Sequence, residues 1–203
     1  MDGTLWDSSE NVAHSWTEKV RELGYDRPEI TQEDIMGIMG LTMDRIADII
    51  FSDLLKDERM ELLDRCCEYE NAYLLEHGGV LYPDLEETLQ ILGEKYELYI
   101  VSNCQSGYIE AFLEHYGFGK YFRDIECYGN NLLDKGSNIA LIAERNGLDR
   151  AYYVGDIQGD YDSAMKAGCG FIHAAYGFGK IKEAVPELPC FNKLPELLRA
   201  IIV

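Results

Sequence analysis

The chain begins with Met1-Asp2-Gly3-Thr4-Leu5-Trp6-Asp7-Ser8, and this stretch is the strongest indication of its fold. Asp-Gly-Thr by itself is a common turn sequence, because glycine adopts backbone conformations that other residues avoid. Its meaning changes if a strand precedes it. Residues two apart in an extended segment point the same way, so an aspartate two positions before Asp2 would aim a second carboxylate at the same ligand. That position lies immediately before Met1.

After Pro83 the sequence alternates between helical patterns and short apolar strands. The predicted strands cover residues 98–101, 125–128, 151–154 and 170–174, and the predicted helices cover residues 84–92, 107–116, 138–145, 161–167 and 195–202. This alternation indicates crossover units. The predicted fold is therefore α/β, with a doubly wound, Rossmann-like parallel sheet.

Residues 9–76 are helical in pattern throughout, which distinguishes them from the rest of the chain. Capping and breaking residues divide them into predicted helices at 9–23, 31–39, 42–55 and 57–76. An all-helical insert in an α/β chain indicates a cap domain. We assign residues 13–78 to this cap, and residues 1–12 with 79–203 to a core that lacks its first strand.

Polar residues follow two of the predicted strands, at the edge of the sheet where ligands bind in parallel α/β folds. Ser102-Asn103 follow one strand, and Gly155-Asp156 follow another. Lys135 precedes a predicted helix, and Asp160 follows four residues after Asp156. Taken singly, Ser102 could be a helix cap, Lys135 a solvated surface lysine and Asp160 a helix N-terminal charge.

Taken together, these residues resemble the motifs of the haloacid dehalogenase superfamily. Residues 2–8 are similar to D-x-D-G-T-L-x-D-S without its first aspartate, and residues 154–168 resemble the strand-G-D-x-x-x-D element that ends in Ala-Gly. Ser102 and Lys135 stand where the superfamily places its second and third motifs. The helical cap between the first two motifs is typical of the phosphoglycolate-phosphatase-like branch.

This resemblance implies a hydrolase: a Mg²⁺-dependent phosphatase that acts on a small phosphomonoester through an aspartyl-phosphate. The nucleophile would be the aspartate before Met1, with Asp2 as general acid and base. The implied phosphate-binding residues are Ser102, Asn103 and Lys135, and the lysine is also implied in catalysis. The implied metal-binding residues are Asp2, through its backbone carbonyl, Asp156 and Asp160.

The third motif departs from the usual sequence of the branch, and one segment of the cap has two interpretations. The third motif usually reads Lys-Pro, whereas this chain has Lys135-Gly136-Ser137, so we expect a less constrained lysine. In the cap, Gly40, Leu41 and Thr42 resemble the loop that approaches the substrate. Packing of the nearby methionines in the core is an equally good interpretation of this segment.

The formal net charge of −19 argues against nucleic acid or an anionic membrane as a partner, because both are bound by clustered lysine and arginine. The expected partner is a small phosphorylated metabolite. The sequence has no long apolar run and no leader pattern, so we expect a cytoplasmic protein. We also expect a monomer or weak dimer. Its six scattered cysteines are expected to be reduced thiols.

Two other functions fit the same residues: a phosphomutase of the same fold, and a non-catalytic binding protein that retains the fold. The first strand of the core, which would carry the nucleophile, is missing from this sequence. Its predicted place is central, between the strands that end at Val101 and Val154. We hypothesise that Met1 is an internal methionine that follows an apolar strand ending in aspartate, and that the 203-residue chain has impaired turnover and stability.

Overall fold

The structure is a computed structural model that describes residues 1–202. The α-helices are α1 (Ser9–Glu22), α2 (Gln32–Ile38), α3 (Met43–Ile50), α4 (Lys56–His77), α5 (Leu85–Gly93), α6 (Tyr108–Tyr116), α7 (Tyr128–Asn131), α8 (Lys135–Arg145), α9 (Gln158–Lys166) and α10 (Leu194–Ile201). The strands are β1 (Trp6–Asp7), β2 (Val80–Leu81), β3 (Leu98–Ser102), β4 (Phe122–Cys127), β5 (Tyr152–Gly155), β6 (Gly170–Ala174) and β7 (Glu187–Leu188). The alternation after Pro83 confirms the predicted α/β class.

Helices α1 to α4 occupy the stretch for which the sequence predicts a cap. Helix α1 buries Val12, Trp16 and Val20, which recur every four residues and therefore form one stripe along the helix. This stripe faces α4, and burial of each large apolar side chain contributes about 1.5–3 kcal/mol. A capping box at Thr31 and Asp34 starts α2. Strand β1 pairs antiparallel with β2 where the chain leaves and re-enters the core.

The remaining strands form two separate parallel sheets rather than one. Strand β3 pairs with β4, and β5 pairs with β6, which in turn pairs with β7. No backbone ladder joins β3 to β5 within the described residues. The hydroxyl of Tyr153, on β5, instead donates a hydrogen bond of 2.8 Å to the carbonyl oxygen of Val101, on β3.

A groove with a volume of about 490 Å³ lies between β3 and β5. Its walls include Leu98–Val101 from β3 and Tyr152–Val154 from β5, with Leu89 and Leu198 from the covering helices. Met1 lines the same groove. The groove therefore lies where the sequence predicts a vacant central strand, and the chain enters the core from one end of it.

The structure corrects several predicted boundaries. Helix α8 begins at Lys135 rather than near Asn138, because the Asp134 side chain caps it by accepting a hydrogen bond of 3.2 Å from the Ser137 amide. Helix α9 begins at Gln158 rather than Tyr161. The short elements β1, β2, β7 and α7 are absent from the prediction, since two to four residues carry too little periodicity to be recognised. Across residues 1–202, no helix is long and apolar enough to cross a membrane.

Candidate active site

The N-terminal motif and the motif after β5 meet at the carboxyl edge of the sheets. Asp156 directly follows β5, and Ser102 is the last residue of β3. Gly3 adopts a left-handed φ of 71°, and a Cβ at this position would overlap the Asp156 carboxylate. Glycine is therefore needed at position 3 for both its backbone conformation and its close approach. This contact brings the Asp2 segment against Asp156.

Two buried hydroxyl groups hold the carboxylate of Asp2. Its Oδ1 accepts hydrogen bonds of 2.7 Å from the Ser8 hydroxyl and 2.7 Å from the Tyr108 hydroxyl. Burial and the charge of Asp2 raise the pKa of Tyr108 well above its usual range, so the phenol stays protonated and donates. Ser8 belongs to the predicted motif. Tyr108 has no local sequence signal, because it is 106 residues from its partner.

Lys135 and Asp160 form a buried ion pair behind this edge. The Lys135 ammonium donates to Asp160 Oδ1 at 2.5 Å, and both side chains are at least nine-tenths buried. Burial alone would lower the pKa of Lys135, but the adjacent Asp160 carboxylate raises it above its ordinary value. Burial alone would raise the pKa of Asp160, whereas Lys135 brings it below its ordinary value. Both groups are therefore charged at neutral pH.

Gly136 explains why the lysine is firmly held, contrary to the expectation from the missing proline. A Cβ at Gly136 would lie 2.9 Å from Lys166 Cδ and 3.1 Å from the Ser163 carbonyl oxygen. The glycine thus lets the first turn of α8 pack closely on α9. This packing and the Asp134 cap constrain Lys135.

Asp156 is held through its backbone amide and through its carboxyl group, and glycines pack closely against it. Its own amide donates to Asp160 Oδ2 at 3.0 Å, and its Oδ2 accepts 2.8 Å from the Phe178 amide. Burial, and then the charge of Asp160, raise the pKa of Asp156 to about 6. Gly177 lies against Asp156 and the Gly3 carbonyl, where a Cβ would not fit. Gly177 and Phe178 are site residues that the sequence does not identify.

The predicted phosphate-binding pair after β3 reaches toward the helical insert. Ser102 Oγ accepts a weak hydrogen bond of 3.4 Å from the Cys104 amide. The Asn103 side-chain amide donates to the Gly40 carbonyl at 2.9 Å, which ties β3 to the loop between α2 and α3. Asn103 therefore contacts the predicted substrate loop directly.

The predicted substrate loop contributes two of its three residues to a cavity above β3. Gly40 and Leu41 line this cavity, together with Asp2 and Ser102. Thr42 does not line it and instead occupies the N-cap position of α3, where its side chain makes no capping hydrogen bond. Met39 and Met43 pack against the core and also line the cavity. Met36 is 40% exposed and takes no part in either role.

The oxygen atoms near Asp156 suit a magnesium ion. Within the described residues, no cluster of three or more histidine, cysteine, aspartate or glutamate side chains could hold a metal. Mg²⁺ needs few protein ligands, because it keeps several waters and accepts phosphate oxygens. The Asp156 carboxylate and the Asp2 backbone carbonyl are hard oxygen donors of this kind, and Gly3 packs directly on that carboxylate. Both oxygens of Asp160 are already taken by protein donors.

Comparison with known proteins identifies the family of the chain. Residues 1–174 match the haloacid dehalogenase-like hydrolase family. A phosphoglycolate phosphatase of Vibrio parahaemolyticus is 30% identical over all of this chain and 94% of its own length. Another from Aliivibrio fischeri is 26% identical, over 93% of this chain and 88% of its own. The structure of a haloacid dehalogenase-like hydrolase from Streptococcus pneumoniae superposes with a TM-score of 0.79 at 22% identity, covering 100% of this chain and 95% of that one.

The chain therefore belongs to the haloacid dehalogenase-like hydrolase family, as its motifs predict. Its similarity to the curated relatives places it in the phosphoglycolate-phosphatase-like branch, among the phosphoric monoester hydrolases.

Proposed function

We propose that the protein hydrolyses a small phosphomonoester with the help of Mg²⁺ and through an aspartyl-phosphate. The observation that carries this proposal is the packing of Gly3 on the Asp156 carboxylate. This packing places the Asp2 segment against the Asp156 side chain. The backbone amide of Asp156 donates a hydrogen bond to Asp160, which forms a buried ion pair with Lys135. Scaffolding alone has no need for this combination of an acid, a buried cation and an oxygen-rich edge.

Asp2 acts as the general acid and base in this proposal. The nucleophilic carboxylate bonds to phosphorus, the bond to the alcohol oxygen breaks, and Asp2 gives that oxygen its proton. Water then attacks phosphorus and Asp2 takes its proton. The bond between phosphorus and the nucleophilic carboxylate breaks, which frees the carboxylate and releases inorganic phosphate. Hydrogen bonds from Ser8 and Tyr108 to one oxygen of Asp2 support this role, because they fix the carboxylate and leave its other oxygen for proton transfer.

The other site residues bind the phosphoryl group and the ion. Lys135 offsets charge on the phosphoryl oxygens, and the Ser102 hydroxyl and the Asn103 backbone amide bind them at the end of β3. Asp156 and the Asp2 carbonyl would hold Mg²⁺, which when bound neutralises phosphate charge. Asp160 positions Lys135 and the Asp156 amide, since both of its oxygens are engaged there.

The attacking carboxylate, we propose, belongs to an aspartate joined to Met1 at the end of a strand in the groove between β3 and β5. Met1 lines that groove. The amino group of Met1 also lies near enough to Asp156 and Asp160 for its positive charge to oppose the rise in pKa that burial causes in both. A residue joined to this nitrogen would therefore lie beside Asp156. The 203-residue chain alone should be impaired.

We also propose that residues 13–78 form a cap domain over the site, and that Gly40 and Leu41 approach the leaving group. The protein is a cytoplasmic monomer or weak dimer that acts on a small phosphorylated metabolite and binds neither nucleic acid nor membranes. Phosphoglycolate is the substrate that the names of the relatives suggest.

The test measures hydrolysis of p-nitrophenyl phosphate by three forms of the protein. These are the 203-residue chain, the chain preceded by an apolar strand that ends in aspartate, and the same extension ending in asparagine. We expect Mg²⁺-dependent turnover only from the aspartate form, with at least about a hundredfold loss in the others.

The asparagine form is the matched control, because it fills the groove equally well but lacks the nucleophile. Turnover by the 203-residue chain equal to that of the aspartate form would refute the assignment of the nucleophile. Turnover that persists after chelation of Mg²⁺ would refute the metal dependence.

A further inference from the structure

A small cavity between the helical insert and β3 gives information about the leaving group of the substrate. Its volume is about 60 Å³, and Asp2, Ser102, Trp16 and Glu70 are among the residues that line it. Because Asp2 is the proposed proton donor to the leaving oxygen, the alcohol part of the ester would occupy this cavity. A space of this size admits only a few heavy atoms. The inference below rests on the proposed function.

The cavity holds carboxyl groups and no cationic side chain. Among the described residues that line it, Asp2 and Glu70 are acidic, and none is lysine, arginine or histidine. Glu70 is 3% exposed, forms no ion pair in the described part of the chain, and accepts a hydrogen bond of 2.5 Å from the Trp16 indole. A second negative charge on the leaving group would therefore lose its water here without gaining a counter-charge, which is costly.

Asn103 adds an unused hydrogen-bond acceptor to the same cavity. Its amide nitrogen faces the Gly40 carbonyl, which can only accept, so the orientation of the amide is fixed. The side-chain oxygen of Asn103 is consequently buried without a partner within the described structure. A buried acceptor without a donor is unfavourable, and a ligand that brings a hydroxyl or ammonium hydrogen would satisfy it.

We infer that the leaving group is a small alcohol that carries a hydrogen-bond donor, a hydroxyl or an ammonium group, and no second negative charge. Asn103 Oδ1 and the Glu70 carboxyl group are the acceptors that would recognise it. A leaving group without a second negative charge excludes phosphoglycolate as the preferred substrate, because its leaving group carries a carboxylate. The cavity of this chain would thus set its substrate apart from the one for which its relatives are named.

The test uses three esters of nearly equal size: phosphoglycolate, 2-hydroxyethyl phosphate and phosphoethanolamine, which end in a carboxylate, a hydroxyl and an ammonium group. Their dissociation constants are measured by calorimetry with the 203-residue chain and Mg²⁺, where impaired turnover leaves the esters intact. The kcat/KM values are measured with the aspartate-extended form. We expect phosphoglycolate to be at least about tenfold poorer in both measurements.

The variant Glu70→Gln removes the acidic acceptor with little change in volume. Above pH 8, where the Glu70 carboxyl group is charged, it should reduce the ratio of phosphoglycolate to phosphoethanolamine dissociation constants at least about fivefold. Glu68→Gln, on the exposed side of the same helix, should leave that ratio unchanged. If Glu70→Gln does not fold, the ratio in the unmodified chain decides the question alone.

Phosphoglycolate bound as tightly as the other two esters, or hydrolysed as fast, would overturn this inference and leave the proposed function standing. The absence of both binding and turnover for all three esters and for p-nitrophenyl phosphate would overturn the proposed function, and the inference with it.

Discussion

Filling the groove between β3 and β5 should stabilise the protein substantially. The perturbation is an N-terminal extension of five residues, Val-Val-Ile-Phe-Asp, joined to Met1, which already lines the groove. About three of its side chains would be buried, at about 1.5–3 kcal/mol each, and some six ladder hydrogen bonds would add about 0.5–1.5 kcal/mol each. Ordering five residues costs about 1–2 kcal/mol each. With the middle of each range, the net gain is about 5 kcal/mol.

This gain should be visible in thermal unfolding. For a chain of this size, 1 kcal/mol shifts the melting temperature by about 2–4 °C, so we expect an increase of roughly 10–20 °C. Differential scanning calorimetry of the two forms measures it. The matched control is an extension of five glycine and serine residues, which has the same length but no apolar side chains to bury.

Equal melting temperatures for the apolar and the glycine-serine extensions would refute the reasoning, because the groove would then not accept a strand. Changes in the hydrogen bond from Tyr153 to Val101 offer a second measurement. A strand inserted between β3 and β5 should displace this bond, which the ultraviolet absorbance of the tyrosine would report.

Three further predictions concern single residues. Burial raises the pKa of Glu70 from 4.5 to about 8, so the folded protein keeps a proton that the unfolded chain loses. The free energy of unfolding should therefore fall as pH rises between these values, by at most about 1.4 kcal/mol per pH unit. Glu70→Gln should remove this dependence on pH. Urea unfolding between those pH values measures the slope, and an unchanged slope would contradict the assignment. Lys135→Met should lower the free energy of unfolding by about 3–5 kcal/mol, because it leaves Asp160 buried without its ion-pair partner. Combining Lys135→Met with Asp160→Asn should recover most of that stability but no turnover. Recovered turnover would exclude a catalytic role for the lysine. Tyr108→Phe should lower kcat about tenfold by releasing Asp2, whereas Tyr69→Phe at an exposed position should not; equal kcat in both variants would show that the phenol has no part in catalysis.

The parts of the site that sequence predicts are those attached to the ends of strands. Ser102 and Asp156 follow apolar segments, and the carboxyl ends of parallel strands share an edge, so their proximity follows from the pattern alone. Gly3 similarly indicates a turn directly after Asp2. The pairing of Lys135 with Asp160 is less apparent, because it depends on α8 beginning three residues earlier than its periodicity suggests.

The parts that sequence does not predict depend on contacts between distant segments. Glu70 and Trp16 are 54 residues apart and lie on different helices, and nothing local distinguishes Glu70 from the exposed acids of α4. Tyr108 is an ordinary first residue of a helix until Asp2 is placed beside it. The division of the sheet is also a tertiary property, since each half has a regular strand pattern.

The most direct test of the central claim is the intact mass of the aspartate-extended protein, quenched in acid during turnover of p-nitrophenyl phosphate with Mg²⁺. The account predicts one added phosphoryl group, on the aspartate immediately before Met1, and none in the asparagine form. Unmodified protein during steady turnover, or a phosphoryl group on any other residue, would contradict it.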